Sequence, residues 1–113
     1  MNKQQTASEL LTLLQNTQPL FAKAQANMIS AKAEYEQDEL YLRETKMKLG
    51  GLAEGKNAEQ REAWVINAHD YKLAAQSAAE SRAAFNHAYA LYKEQESVMI
   101  YIRDMTALLR EIQ

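Results

Sequence analysis

A seven-residue repeat runs along both halves of this chain, and it constrains the fold more than any other feature. In the first half the large residues of the repeat are Leu14, Phe21, Met28, Tyr35, Leu42 and Leu49. In the second half the corresponding residues of the repeat are Trp64, Tyr71, Ala78, Phe85, Tyr92 and Met99. Mostly small or polar residues occupy the seam positions between them, so the average spacing is 3.5 residues. This spacing is typical of helices packed as coiled coils, and it predicts an all-α protein built from two long helices.

The positions of glycine and proline predict where these helices begin and end. The chain has 113 residues, enough for one domain, and its three glycines all fall between positions 50 and 55. We predict a first helix over about 7–49, capped by Thr6 and Glu9, and a second over about 58–112. The turn 50–57 lies between them, with Gly50 as C-cap, Gly51 and Gly55 in the turn, and Asn57 as N-cap. Pro19 predicts a kink or a break in the first helix.

The turn sequence GGLAEGKN, residues 50–57, has the spacing of a phosphate-binding loop except for its last residue. Such a loop needs a strand before it, a helix after it and a final Ser or Thr that binds magnesium. Here a charged helical pattern precedes Gly50, and Asn57 replaces the hydroxyl residue. We therefore interpret the stretch as a helix–turn–helix connection.

The alternation of large and small seam residues suggests how the two antiparallel helices align. In one register Phe21 faces Ala88 and Asp38 faces Tyr71, so that large residues meet smaller ones and layers interdigitate. In a second register Phe21 faces Phe85 and Tyr35 faces Tyr71. We favour the first register, in which Asp38 needs a hydrogen-bond partner such as the Tyr71 hydroxyl.

Many apolar side chains lie outside the seam, and most of them are in the last part of the second helix. In the favoured register this part faces only the polar start of the chain, which leaves an exposed apolar patch typical of an interface. The predicted interface residues are Val98, Tyr101, Ile102, Met105, Leu108, Leu109 and Ile112. We expect them to form a homo-oligomer, most simply a dimer arranged as a four-helix bundle, or to bind another protein.

Charge and composition give little support for catalysis or for a cofactor. The net charge is −2, there is no cysteine, and the only histidines, His69 and His87, are 18 positions apart on one helix. We expect no enzymatic activity, no metal and no cofactor. From the sequence we expect neither a signal peptide nor a membrane-spanning segment.

A group of basic residues near the turn is the one candidate for nucleic-acid contact. Its members are Arg43, Lys46, Lys48, Lys56 and Arg61. Acidic residues at positions 44, 54, 59 and 62 are interleaved with them, so the local excess of positive charge is small. A solvated, mixed-charge surface is the simpler interpretation.

The stretch GKNAEQREA, residues 55–63, resembles a pattern in small bacteriophage and prophage proteins of helical-hairpin type. These proteins also have a long second helix that ends in a Leu- and Arg-rich segment, as TALLREI at 106–112 does here. The resemblance covers about half of the chain. It implies a phage accessory protein in the bacterial cytoplasm and brings no catalytic residues.

Three functional hypotheses follow. The first is a protein–protein interaction module that modulates a DNA-processing or defence protein of the host or the phage. The second is a recombination accessory protein that binds single-stranded nucleic acid through the basic turn. The third is a structural assembly protein.

Overall fold

The computed structural model describes residues 2–112, which form three α-helices and no strand. Helix α1 spans Lys3–Leu52, α2 spans Ala58–Asn67 and α3 spans His69–Glu111. Helices α1 and α3 pack against each other. The predicted all-α helical hairpin is therefore confirmed.

Helix α1 is longer at both ends than the sequence predicts. It begins at Lys3 because the Asn2 side chain, and not Thr6, caps it: Asn2 Oδ1 accepts a hydrogen bond from the Gln5 backbone N–H at 2.7 Å. The helix continues through Pro19, so a division into two helices there is wrong. It also continues through Gly50 and Gly51 to Leu52, so assigning these two glycines to the cap and the turn is wrong too. Both glycines lie in open surroundings and leave the helical hydrogen bonds intact.

The chain reverses over residues 53–57, a shorter turn than predicted, and a double side-chain cap starts α2. As predicted, Asn57 is the N-cap, and its Oδ1 accepts from the Gln60 backbone N–H at 2.9 Å. In return, Gln60 Oε1 accepts from the backbone N–H of Lys56 at 2.8 Å. This reciprocal arrangement is close to a capping box, which satisfies two backbone donors at a helix start.

The second helix is interrupted at Ala68, where the sequence predicts a continuous helix over 58–112. Ala68 is extended, with ψ of 138°, and its N–H bonds to the Val65 carbonyl at 3.1 Å. The Asn67 side chain donates to the Ala63 carbonyl at 2.8 Å. The interruption leaves Asn67 exposed and buries Val65 instead. The predicted seam position Asn67 thus faces solvent, and Val65 is the buried residue of α2.

Packing contacts divide the chain into two compact units, residues 1–29 with 87–113 and residues 30–86. We call them the terminal unit and the turn unit. In the terminal unit the buried seam residues are Leu10, Thr17, Ala24 and Ile102. The rings of Phe21 and Tyr92 stack beside them with centroids 5.5 Å apart.

The turn unit has a seam of the same kind. Its buried residues are Thr45, Leu49, Val65, Ala74, Ala78 and Ser81. The rings of Tyr35 and Phe85 stack at a centroid distance of 6.0 Å. The single proton of the Ser81 hydroxyl is shared between two acceptors, Asp38 Oδ2 and the Ser77 carbonyl oxygen, the latter 2.9 Å from Ser81 Oγ. In the part of the chain that the structure describes, no buried side-chain polar atom lacks a partner.

The predicted seam is confirmed for α1 and, apart from the exposed Asn67, for the second half of the chain, but neither predicted register is observed. Every predicted seam residue of α1 from Leu10 to Leu49 is buried or half-buried. However, Phe21 stacks on Tyr92 rather than on Ala88 or Phe85, and Asp38 bonds to Ser81 rather than to Tyr71. Aromatic rings gain stacking energy beyond the area they bury. A match of residues by size alone does not include this stacking energy.

Candidate interaction surface

The predicted interface residues of α3 divide into two sets that point in different directions. Ile102 is only 6% exposed and belongs to the core of the terminal unit. Together with Leu109 it lines an open groove of about 240 Å³, which Leu10 and Leu14 of α1 also line. The prediction that this segment faces only polar residues is therefore wrong, because the start of α1 supplies leucines to it.

The other predicted residues form a second apolar stripe on α3. With Leu91 added, the stripe consists of Leu91, Val98, Tyr101, Met105, Leu108 and Ile112. Successive members are separated by seven residues once and then by three or four, which places them on one face of a helix. Val98 and Met105 are half-buried, whereas the other four are exposed, up to 71% for Ile112. The stripe thus has the spacing of a coiled-coil seam but faces solvent.

Helix α1 contributes two leucines to the same side of the terminal unit. Leu13 and Leu20 come directly before the large seam residues Leu14 and Phe21 of α1. On α3, Leu91 and Val98 likewise come directly before large seam residues. In antiparallel coiled coils, positions of this kind flank the seam on the same side. Leu13 is half-buried and Leu20 is 54% exposed. The second stripe and these two leucines together form what we call the apolar face of the terminal unit.

The opposite flank of α3 carries charged and aromatic groups. Lys93 Nζ lies 2.7 Å from Glu96 Oε1 and 6.0 Å from the centre of the Tyr89 ring. The hydrogen bond from Lys93 lowers the pKa of Glu96, and the Glu96 carboxylate raises the pKa of Tyr92. These groups are exposed enough to remain solvated. This flank is mixed in character, because the exposed Tyr89 ring lies beside the charged groups.

The basic residues near the turn are exposed, and the structure brings only some of them together. Lys46 and Arg61 line one groove, and the carboxylate residue Glu62 lines it with them. The Arg61 guanidinium donates from Nη1 to the Gly55 carbonyl at 3.3 Å, so part of its donor capacity is used within the turn. Arg43, Lys48 and Lys56 do not line this groove. The arrangement is a mixed-charge surface, not a continuous basic stripe.

Three structural roles were not predicted from the sequence, which places Leu20 and Leu91 only among the apolar residues outside the seam. Leu91 and Leu20 belong to the apolar face, and extending the repeat from Val98 by seven residues would have found Leu91. Gln60 completes the cap at Asn57. It could have been predicted, because a Gln three residues after an N-cap is typical of a capping box. The helix break at Ala68 cannot be recognised from the local sequence, because alanine has neither the fixed φ of proline nor the conformational freedom of glycine.

Comparisons with protein-family models, with curated proteins and with solved structures find no match to this chain. None of the helices in residues 2–112 is long and apolar enough to cross a bilayer. Over the same residues, no three side chains of His, Asp or Glu come together as a metal site would require.

Proposed function

We propose that this chain is a non-enzymatic protein–protein interaction module that self-associates and works through the apolar face of its terminal unit. The observation that carries the proposal is the second stripe, a coiled-coil repeat left facing solvent. Contiguous apolar surface of this kind marks interaction sites in soluble proteins. A helix partner suits the stripe, because knobs at three- and four-residue spacing fit the holes of another helix.

The amount of exposed surface supports the same proposal. The chain exposes 8467 Å², whereas a compact monomer of 12.9 kDa exposes about 6,300 Å². The difference is roughly 2,200 Å², which is more than the roughly 800 Å² that each partner buries in a standard interface. Burial of about 800 Å² against a partner would therefore remove roughly a third of this excess.

The identity of the partner rests on the resemblance to phage helical-hairpin proteins. We propose a bacteriophage accessory protein in the cytoplasm of a bacterial host, which modulates a DNA-processing or defence protein of the host or the phage. Catalysis by this chain is not part of the proposal. The chain has no cysteine thiol, both histidines are exposed, and so are its carboxylates other than Asp38 and Glu96.

Affinity capture from a bacterial lysate tests the proposed function. Leu108→Glu places a charge on the apolar face, and Leu73→Glu is the matched control. Both leucines are in α3, they are 50% and 51% exposed, and Leu73 lies in the turn unit. We expect a specific protein to be retained by wild type and Leu73→Glu and lost with Leu108→Glu. Equal capture by all three proteins would contradict the proposal.

Binding of a labelled oligonucleotide distinguishes the nucleic-acid hypothesis. Contacts with phosphates weaken steeply as salt increases. Suppose that the chain binds the oligonucleotide in a salt-sensitive way and that a Lys46→Glu, Arg61→Glu double variant loses this binding. This result would favour the recombination accessory hypothesis over the interaction module. Large open-ended oligomers in light scattering would instead favour the structural assembly hypothesis.

A further inference from the structure

We infer that the apolar face of the terminal unit is occupied by a second copy of this chain, which completes a four-helix bundle there. This inference rests on the proposed function and names the first occupant of the same surface. Three observations on the terminal unit lead to a second copy: its charge, the composition of the face and the area it exposes.

The charge of the terminal unit permits close approach of two copies. Among residues 1–29 and 87–113 there are five basic residues (Lys3, Lys23, Lys93, Arg103 and Arg110) and five acidic ones (Glu9, Glu94, Glu96, Asp104 and Glu111), so the formal net charge is zero. All of the chain's net charge of −2 therefore lies in the turn unit. A unit without net charge does not repel a copy of itself, and proteins near zero net charge associate more readily.

The composition of the face suits a symmetric dimer. Two-fold interfaces are isologous, so one surface must supply both halves of every contact. The second stripe supplies a long row of apolar residues on α3, and Leu13 with Leu20 supplies a shorter row on α1. Each row of one copy can therefore contact a row of the other. Glu94 is the only charged residue that falls on the stripe, near its start.

The exposed apolar side chains of the terminal unit supply area for such an interface. In the terminal unit Leu20, Leu91, Tyr101, Leu108 and Ile112 are all exposed on this one face. The turn unit also exposes apolar residues, but its formal charge of −2 opposes self-association through that unit. The terminal unit thus combines an exposed apolar face with a formal net charge of zero.

The inferred dimer is tested with the purified chain alone, by light scattering and sedimentation over a range of micromolar concentrations. We expect wild type and Leu73→Glu to be dimers. We expect Leu108→Glu to weaken the dimer on the order of 100-fold, because a charge is introduced at the interface in both copies. A monomeric wild type, or equal weakening by both substitutions, would overturn the inference.

A second measurement keeps the inference testable if Leu108→Glu fails to fold. The chain has no cysteine, so a single introduced thiol reports one position. In a dimer, Tyr101→Cys should react with a maleimide more slowly as protein concentration rises, whereas Leu73→Cys should react at a constant rate. If both thiols react at rates independent of concentration, no second copy covers the face.

The two experiments separate this inference from the proposed function. A monomeric wild type whose lysate partner still depends on Leu108 overturns the second copy, and with it the proposed self-association, but supports binding of a different protein through the apolar face. A dimer that depends on Leu108 and captures no protein supports the second copy and contradicts the binding of a further partner.

Discussion

The conformation of the turn depends on single residues. Of the three glycines, only Gly55 has a backbone conformation that requires glycine. Its φ is +154°, which side chains rarely adopt, and an added Cβ would lie 2.8 Å from Gln60 Cβ and 2.9 Å from the Arg61 nitrogen. Gly50 and Gly51, in contrast, lie inside α1, and an added Cβ would meet nothing. The three glycines of one short stretch therefore have opposite roles.

Alanine substitutions should separate these roles. Gly55→Ala should lower the free energy of unfolding by about 1–3 kcal/mol, because it introduces backbone strain and a clash with α2. Gly51→Ala should raise it by about 0.5–1 kcal/mol, because alanine is the better helix former. Urea denaturation followed by circular dichroism measures both changes. Equal effects of the two substitutions would show that the reversal does not depend on Gly55.

The hydrogen bond between Ser81 and Asp38 is the polar contact of the turn-unit seam. Ser81→Ala should destabilise the fold by about 1 kcal/mol in the wild-type background, because it removes a donor to a carboxylate. In an Asp38→Ala background the same change should cost much less. A double-mutant cycle measures the difference. A coupling energy of zero would show that Asp38 is solvated independently of Ser81.

At the level of elements, the break at Ala68 distinguishes the observed structure from the continuous helix. His69 is the first residue of α3, and the extended Ala68 before it has the conformation that a residue preceding proline prefers. Proline is favoured at the first position of a helix, where its missing N–H is not needed. The break should therefore accept a proline that a continuous helix would reject.

His69→Pro should accordingly change the free energy of unfolding by less than about 1 kcal/mol. His87→Pro, inside α3, should cost about 3 kcal/mol or more, since it removes a helical hydrogen bond. Denaturant titrations of the two variants make the comparison. Similar large losses in both would mean that α2 and α3 form one helix in solution.

For the whole molecule, folding and association should depend on different residues of α3. Ile102→Ala should lower the free energy of unfolding by about 2–5 kcal/mol, because it leaves a cavity in the seam. Leu108→Glu should act mainly on association. The melting temperature of wild type should rise with protein concentration, as it does when folding is coupled to dimerisation.

Thermal melts at several protein concentrations test this separation. The rise with concentration should persist in Ile102→Ala, with all values lower, and should disappear in Leu108→Glu. A melting temperature of Leu108→Glu that still rises as steeply as that of wild type would contradict the assignment of Leu108 to association.

The sequence by itself determined the helical class, the seam of α1 and the N-cap at Asn57. These features depend on local chemistry and on periodicity, which can be read over a few turns of helix. It also placed Ile102 and Leu109 at seam positions near the end of α3, but it grouped them with the residues outside the seam in one exposed interface.

Only the tertiary structure decided the register, the break at Ala68 and which apolar residues remain exposed. The register depends on contacts between residues far apart in sequence, such as Phe21 with Tyr92, whose stacking outweighs a simple match of large and small side chains. At the break Val65 is buried and Asn67 is exposed. This difference in burial arises only when the helices are packed together. Exposure is likewise a property of the packed helices, since Ile102 and Leu108 have similar hydrophobicity and differ only in the side of α3 they occupy.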